Sequence, residues 1–100
     1  MKKMISMVLP ALLVLSAAAN AEPPANEPLC RACHGVNGAA PIMDVYPKLN
    51  GQNKGYLVGA LKAYQAGERQ GGMAALMSPQ AAGLTDEEID SLSAYYSSQQ

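Results

Sequence analysis

The sequence of 100 residues lacks tryptophan and phenylalanine, and its aromatic residues are five tyrosines. The other hydrophobic residues are mainly aliphatic, with many alanines and six methionines. A domain of this size buries a modest fraction of its surface and commonly needs further stabilisation, such as a disulfide, a metal or a bound cofactor. The scarcity of large flat side chains therefore agrees with a bound apolar cofactor at the centre of the fold.

Basic residues are also scarce, and they form no cluster. After the first 21 residues the chain has five basic and eight acidic residues, a formal net charge of −3. A mildly acidic chain without a basic patch is a poor candidate for binding nucleic acid. The sequence also shows no nucleophile, general base or carboxylate pair arranged for catalysis, which argues against an enzyme.

A hydrophobic run long enough to span a membrane is missing as well. Residues 4–18 are apolar, but Pro10 interrupts them and they fall short of the roughly 20 residues that a spanning helix needs. Two lysines precede this run, and Ala19-Asn20-Ala21 is a signal-peptidase pattern. We therefore predict a cleavable export signal over residues 1–21 and a periplasmic mature domain over residues 22–100. A retained membrane anchor is the disfavoured alternative.

No segment shows the two-residue alternation of a β-strand, and the chain has no internal repeat, so we predict an all-α domain. A short helix capped by Asn26 precedes Cys30. A longer amphipathic helix covers residues 53–66 and ends at Gly67. The last helix begins with a capping box, Thr85 to Glu88, and runs to about Ser98. Residues 35–53 and 68–83 contain several glycines and prolines and are predicted to be loops.

The pattern C-x-x-C-H, formed by Cys30, Cys33 and His34, is typical of covalent haem attachment. In a helical turn, residues i and i+3 share a face, so both thiols can reach the vinyl groups of one porphyrin. His34 is the only histidine and hence the only imidazole available to the iron. A thioredoxin-like dithiol is disfavoured because no strands are predicted, and a zinc site lacks further credible ligands.

Several motifs together resemble the small bacterial class I cytochromes c. They are the C-x-x-C-H-G motif, Pro47-Lys48-Leu49 followed by Gly51-Gln52, a tyrosine-bearing helix, Met77 ahead of Ala81-Ala82-Gly83-Leu84-Thr85-Asp86, and the final Ala94-Tyr95-Tyr96.

This resemblance implies a cytochrome c-like fold of three to four helices around one haem c, attached through Cys30 and Cys33. It implies that His34 and Met77 are the axial ligands, with Met73 as the alternative to Met77. It further implies that the Pro47 carbonyl accepts a hydrogen bond from the His34 ring. One departure is the lead-in of eight residues before Cys30, shorter than in family members whose first helix crosses the last.

The expected function is that of an exported one-electron carrier with transient redox partners. An iron ligated by both His34 and Met77 has no free position for a substrate, and such ligation favours a high potential. Two alternatives keep the haem. The chain could serve as the dedicated cytochrome subunit of an exported oxidoreductase, or, if neither methionine is a ligand, as an open-site haem protein that binds ligands or reacts with peroxide.

Overall fold

The computed structural model describes residues 22–100, so the predicted export signal lies outside the described residues. Within residues 22–100 the secondary structure is entirely helical, which confirms the predicted all-α class. None of the helices in this range is long and apolar enough to cross a bilayer. The elements are α1 (Glu27–His34), a 3-10 turn (Val36–Gly38), α2 (Lys54–Gln65), α3 (Ala74–Ala82) and α4 (Asp86–Ser97).

The last helix, α4, is the centre of the core. Ile89 and Leu92 are buried, and Leu92, Tyr95 and Tyr96 form a cluster with Leu57 of α2. The predicted capping box is present at its start. The Thr85 hydroxyl accepts a hydrogen bond from the Glu88 N–H at 3.1 Å, and the Glu88 carboxylate accepts one from the Thr85 N–H at 2.9 Å.

Helix α2 lies between α3 and α4 and packs against both. Its predicted stop at Gly67 is confirmed. Gly67 has φ +73°, its N–H bonds to the Tyr64 carbonyl at 3.1 Å, and the Glu68 N–H bonds to the Ala63 carbonyl at 2.9 Å. These two bonds form a Schellman motif. Ion pairs from Lys54 and Lys62 to acidic side chains of α4 flank the α2–α4 contact.

The prediction of a loop over residues 68–83 was wrong for its second half, which forms α3. Gly71 and Gly72 precede this helix and do not interrupt it. Pro79 lies within it and removes one hydrogen bond, the one that an N–H at this position would donate to the Ala75 carbonyl. The alanine-rich sequence favours a helix, and packing against α2 adds tertiary stabilisation.

The short lead-in is nevertheless sufficient to bring α1 against α4. Asn26 occupies the position before the helix, but its side chain makes no capping hydrogen bond; the Glu27 N–H bonds instead to the Pro24 carbonyl at 2.9 Å. Glu27 is hydrogen-bonded to Tyr96, and Cys30 packs against the core cluster. The first and last helices are therefore in contact.

Candidate haem site

Helix α1 supplies the three residues of the motif. Cys30 is half-buried against the core, Cys33 is exposed, and both are free thiols. Burial, together with the charge of Glu27, raises the pKa of Cys30 to about 11. A redox-active dithiol needs a thiol whose pKa is lowered, so this environment argues against the thioredoxin-like alternative.

The single imidazole is held by one hydrogen bond. His34 is 8% exposed, and its Nδ1 lies 2.7 Å from the Pro47 carbonyl oxygen. A carbonyl can only accept, so this bond places the proton on Nδ1 and leaves the Nε2 lone pair free. The ring is therefore oriented and in the tautomer that a metal ligand needs.

Two glycines shape the loop that carries Pro47. Gly35 follows His34 directly with φ +86°, and a Cβ atom there would lie 2.1 Å from the Ala40 carbonyl oxygen. Gly38 has φ +69° and lies between Leu49 and Tyr96, where a Cβ atom would be 2.8 Å from the Leu49 Cβ. Its carbonyl accepts a hydrogen bond from the Leu49 N–H at 2.8 Å. Only glycine fits these two positions, and the close packing at Gly38 fixes the chain two residues beyond Pro47.

Large hydrophobic side chains are exposed on the elements that carry the candidate ligands and on α2, which carries none. They come from α1, the loop after it, the start of α2 and the region of α3: Leu29, Val36, Ile42, Met43, Val45, Tyr56, Met73 and Leu76. Extensive exposure of this kind marks surfaces that a ligand or partner covers. With two free thiols and an oriented imidazole on α1, the residues present fit a covalently held, flat apolar group such as haem.

The two candidate distal ligands differ in their position relative to α3 and in their exposure to solvent. Met77 is half-buried in the middle of the helix, whereas Met73 precedes its first turn and is 42% exposed. Met77 falls within residues 68–83, which were predicted to be a loop, and that prediction was wrong at this position because the segment is helical. Its burial and its position ahead of Thr85 still favour Met77.

Sequence reasoning missed two polar residues, Glu27 at the start of α1 and Gln65 at the end of α2. Glu27 is fully buried; its Oε1 accepts hydrogen bonds from Arg31 Nε at 3.0 Å and Nη2 at 2.7 Å. Its Oε2 accepts one from the Tyr96 hydroxyl at 2.5 Å. The i, i+4 spacing of Glu27 and Arg31 was a local signal for the ion pair. No local signal marks Gln65, whose amide bonds to backbone carbonyls beyond the end of α2.

Comparison with known proteins identifies the family of this chain. The profile of the family described as Cytochrome c matches residues 25–100. The chain is 52% identical over 71 residues to cytochrome c-554(548) of Halomonas halodenitrificans, an alignment that covers 71% of this chain and 84% of that protein. It is 35% identical over 74 residues to cytochrome c-554(547) of Halothiobacillus neapolitanus, covering 66% and 79% respectively.

A further similarity covers a smaller part of the relative. The chain is 35% identical over 81 residues to cytochrome c4 of Stutzerimonas stutzeri, but spans 36% of its length. The family match and the relatives support an electron-transfer protein whose cofactor is covalently bound haem c, and Cys30 and Cys33 have the spacing of its attachment motif. The all-helical fold agrees. The chain therefore belongs to the cytochrome c family.

Proposed function

We propose that this chain is a periplasmic one-electron carrier that binds haem c through Cys30 and Cys33, with His34 and Met77 as axial ligands. The observation that carries this proposal is the hydrogen bond from His34 Nδ1 to the Pro47 carbonyl, which leaves Nε2 free to bind iron. When bound, haem supplies an iron that alternates between two oxidation states.

The protein residues restrict that chemistry to electron transfer. Pro47 holds the imidazole in one tautomer and one orientation. His34 would therefore need little rearrangement when the oxidation state of a bound iron changes. The thioether sulfur of Met77 would fill the second axial position, and His/Met ligation raises the potential of the iron. If His34 and Met77 both hold the iron, oxygen and peroxide would have no free site on it.

Location and partners follow from the same proposal. Residues 1–21 would direct export and be removed, so the haem would be attached outside the cytoplasm. Redox partners would meet the protein through a small, short-lived contact, as transient electron-transfer complexes do. The exposed hydrophobic side chains around α1 also suit the alternative of a dedicated oxidoreductase subunit. Stable co-purification with a catalytic chain would favour that alternative.

The axial ligand is tested by a matched pair of variants, Met77→Leu and Met73→Leu. Each removes one sulfur and keeps a similar volume. We expect M77L to lose the methionine–iron charge-transfer band in the oxidised spectrum and M73L to retain it. Loss of the band in M73L alone would instead identify Met73 as the ligand.

Two further measurements test the cofactor and the open-site alternative. Acid extraction into an organic solvent should leave the chromophore with the protein, because thioether bonds survive it. Carbon monoxide added to the reduced wild-type protein should bind weakly and slowly, whereas M77L should bind it readily. Rapid, strong binding to the wild-type protein would overturn the carrier proposal.

A further inference from the structure

One side chain joins the end of α2 to the end of α3. Gln65 is the last residue of α2 and is half-buried. Its Nε2 donates hydrogen bonds to the Ala81 carbonyl at 3.1 Å and to the Leu84 carbonyl at 2.6 Å. These carbonyls belong to the last turn of α3 and to the short link before α4. A single amide therefore fastens α3 at its C-terminal end.

The backbone supplies part of the hydrogen bonding at this end of α3, since the Leu84 N–H donates to the Ala81 carbonyl at 3.1 Å, and Gln65 adds a donor from α2. The last carbonyls of a helix have no partners within it. Gly83 is the C-cap of α3 with φ −94°, and Leu84 after it has no positive φ, so α3 lacks the left-handed residue that closes α2 at Gly67. Pro79 removes one bond inside the helix. Of the residues of α3, Ala81 is the one that is fully buried, and it is the residue whose carbonyl Gln65 binds.

Met77 and Ala81 are four residues apart on α3, so they lie on the same face of the helix, one turn apart. A displacement of the Ala81 end would move the Met77 sulfur. We propose that Gln65 is a positioning residue for the distal ligand: its amide holds α3 against α2 and so keeps Met77 in place to bind the iron. This inference rests on the proposed role of Met77.

Loss of the amide would leave the Ala81 carbonyl with the Leu84 N–H as its donor and would remove the hydrogen bond from α2 to the Leu84 carbonyl. The cost of such a loss corresponds to about a tenfold change in an equilibrium constant. We expect the state in which Met77 is detached from the iron to become about tenfold more populated. A competing ligand would then bind more tightly by the same factor, because it binds the detached state.

The test uses the haem-loaded proteins Q65M and Q70M. Methionine keeps the length of the side chain and removes both amide donors. Gln70 is the matched control, since its Nε2 donates to the Gly67 carbonyl at 2.7 Å in an exposed turn outside α3. Imidazole is titrated into the oxidised proteins at one fixed pH while the methionine–iron band is followed. Amide hydrogen exchange is measured in α3 and α4 of the same samples.

We expect imidazole to bind Q65M about tenfold more tightly than the wild type and to bind Q70M unchanged. Exchange should quicken in α3 of Q65M and stay unchanged in α4. Unchanged imidazole affinity, or equally faster exchange in both helices, would overturn the proposal. If Q65M does not accumulate, Q65E, which also lacks donors, is measured in the same way.

The M77L spectrum separates this inference from the proposed function. If M77L loses the band but Q65M behaves as wild type, Met77 is the ligand and Gln65 does not position it. If M77L retains the band, the assignment of Met77 fails and the role of Gln65 fails with it.

Discussion

The Tyr96 hydroxyl donates a hydrogen bond to the Glu27 carboxylate at 2.5 Å, and this bond joins the last helix to the first. Both residues are buried, and Arg31 balances the carboxylate charge from one turn further along α1. A buried carboxylate is costly unless it is paired and hydrogen-bonded, and here both conditions are met. The contact orients the helix that carries Cys30, Cys33 and His34.

The first prediction concerns the stability that this bond contributes. Glu27→Ala leaves the buried Tyr96 hydroxyl without an acceptor, which should lower the free energy of unfolding by about 1–3 kcal/mol. Tyr96→Phe removes the same bond, so the double variant should be less destabilised than the sum of the single ones. Chemical denaturation of the four proteins measures this coupling. Glu68→Ala, which truncates an exposed acid, serves as the control and should be nearly neutral. Strict additivity would show that the bond contributes nothing.

The second prediction concerns alkaline pH. Burial and the hydrogen bond to Glu27 raise the pKa of Tyr96 above its ordinary value of 10.0. The native state then keeps the phenol proton at a pH where the unfolded chain loses it, so the unfolded chain binds fewer protons. The stabilisation is complete below about pH 10 and is lost as the pH rises, by up to about 1.4 kcal/mol per pH unit.

Tyr96→Phe lacks this proton, so the stability difference between wild type and Y96F should shrink between about pH 9 and about pH 11. Denaturation curves at each pH measure the difference directly. Tyr95 also has a raised pKa, but it is present in both proteins and its effect cancels. A constant difference over this range would contradict the assigned environment of Tyr96.

The third prediction compares two glycines. Gly38→Ala places a Cβ atom 2.8 Å from the Leu49 Cβ and 2.9 Å from the Tyr96 ring, at a φ of +69°. The backbone conformation alone should cost about 1–2 kcal/mol, and the clash adds to it. Gly59 lies within α2, and a Cβ atom there would have no neighbour within 4 Å beyond the backbone of its own helix. Gly59→Ala should therefore stabilise the protein by roughly 0.5–1 kcal/mol. Thermal unfolding of the two variants should shift in opposite directions; a shared sign would contradict the packing at Gly38.

Local signals in the sequence were sufficient for the elements whose ends are defined by nearby residues. The capping box at Thr85 and the stop at Gly67 depend on hydrogen bonds between residues three to five positions apart, so the sequence pattern predicts them. The same holds for the C-x-x-C-H motif, because the attachment chemistry needs a fixed spacing along one helical turn.

Helix α3 shows where local reasoning failed. Pro79 and the glycine pair favour a loop when read in sequence, and the packing of α3 against α2 outweighs them. The two hydrogen bonds of Gln65 span 16 and 19 residues, and the Tyr96–Glu27 bond spans 69. The periodic patterns that predict helices and strands give no indication of hydrogen bonds between residues so far apart in the sequence.

The sequence by itself determined the all-α class, the cofactor motif, the unique imidazole and the ends of α2 and α4, since each depends on residue type and short-range spacing. The tertiary structure decided the partners of polar side chains that no sequence pattern predicted: Tyr96 for Glu27, and the end of α3 for Gln65. A buried polar atom bonds to whichever group the fold brings within about 3 Å, and that proximity exists only after the helices have packed.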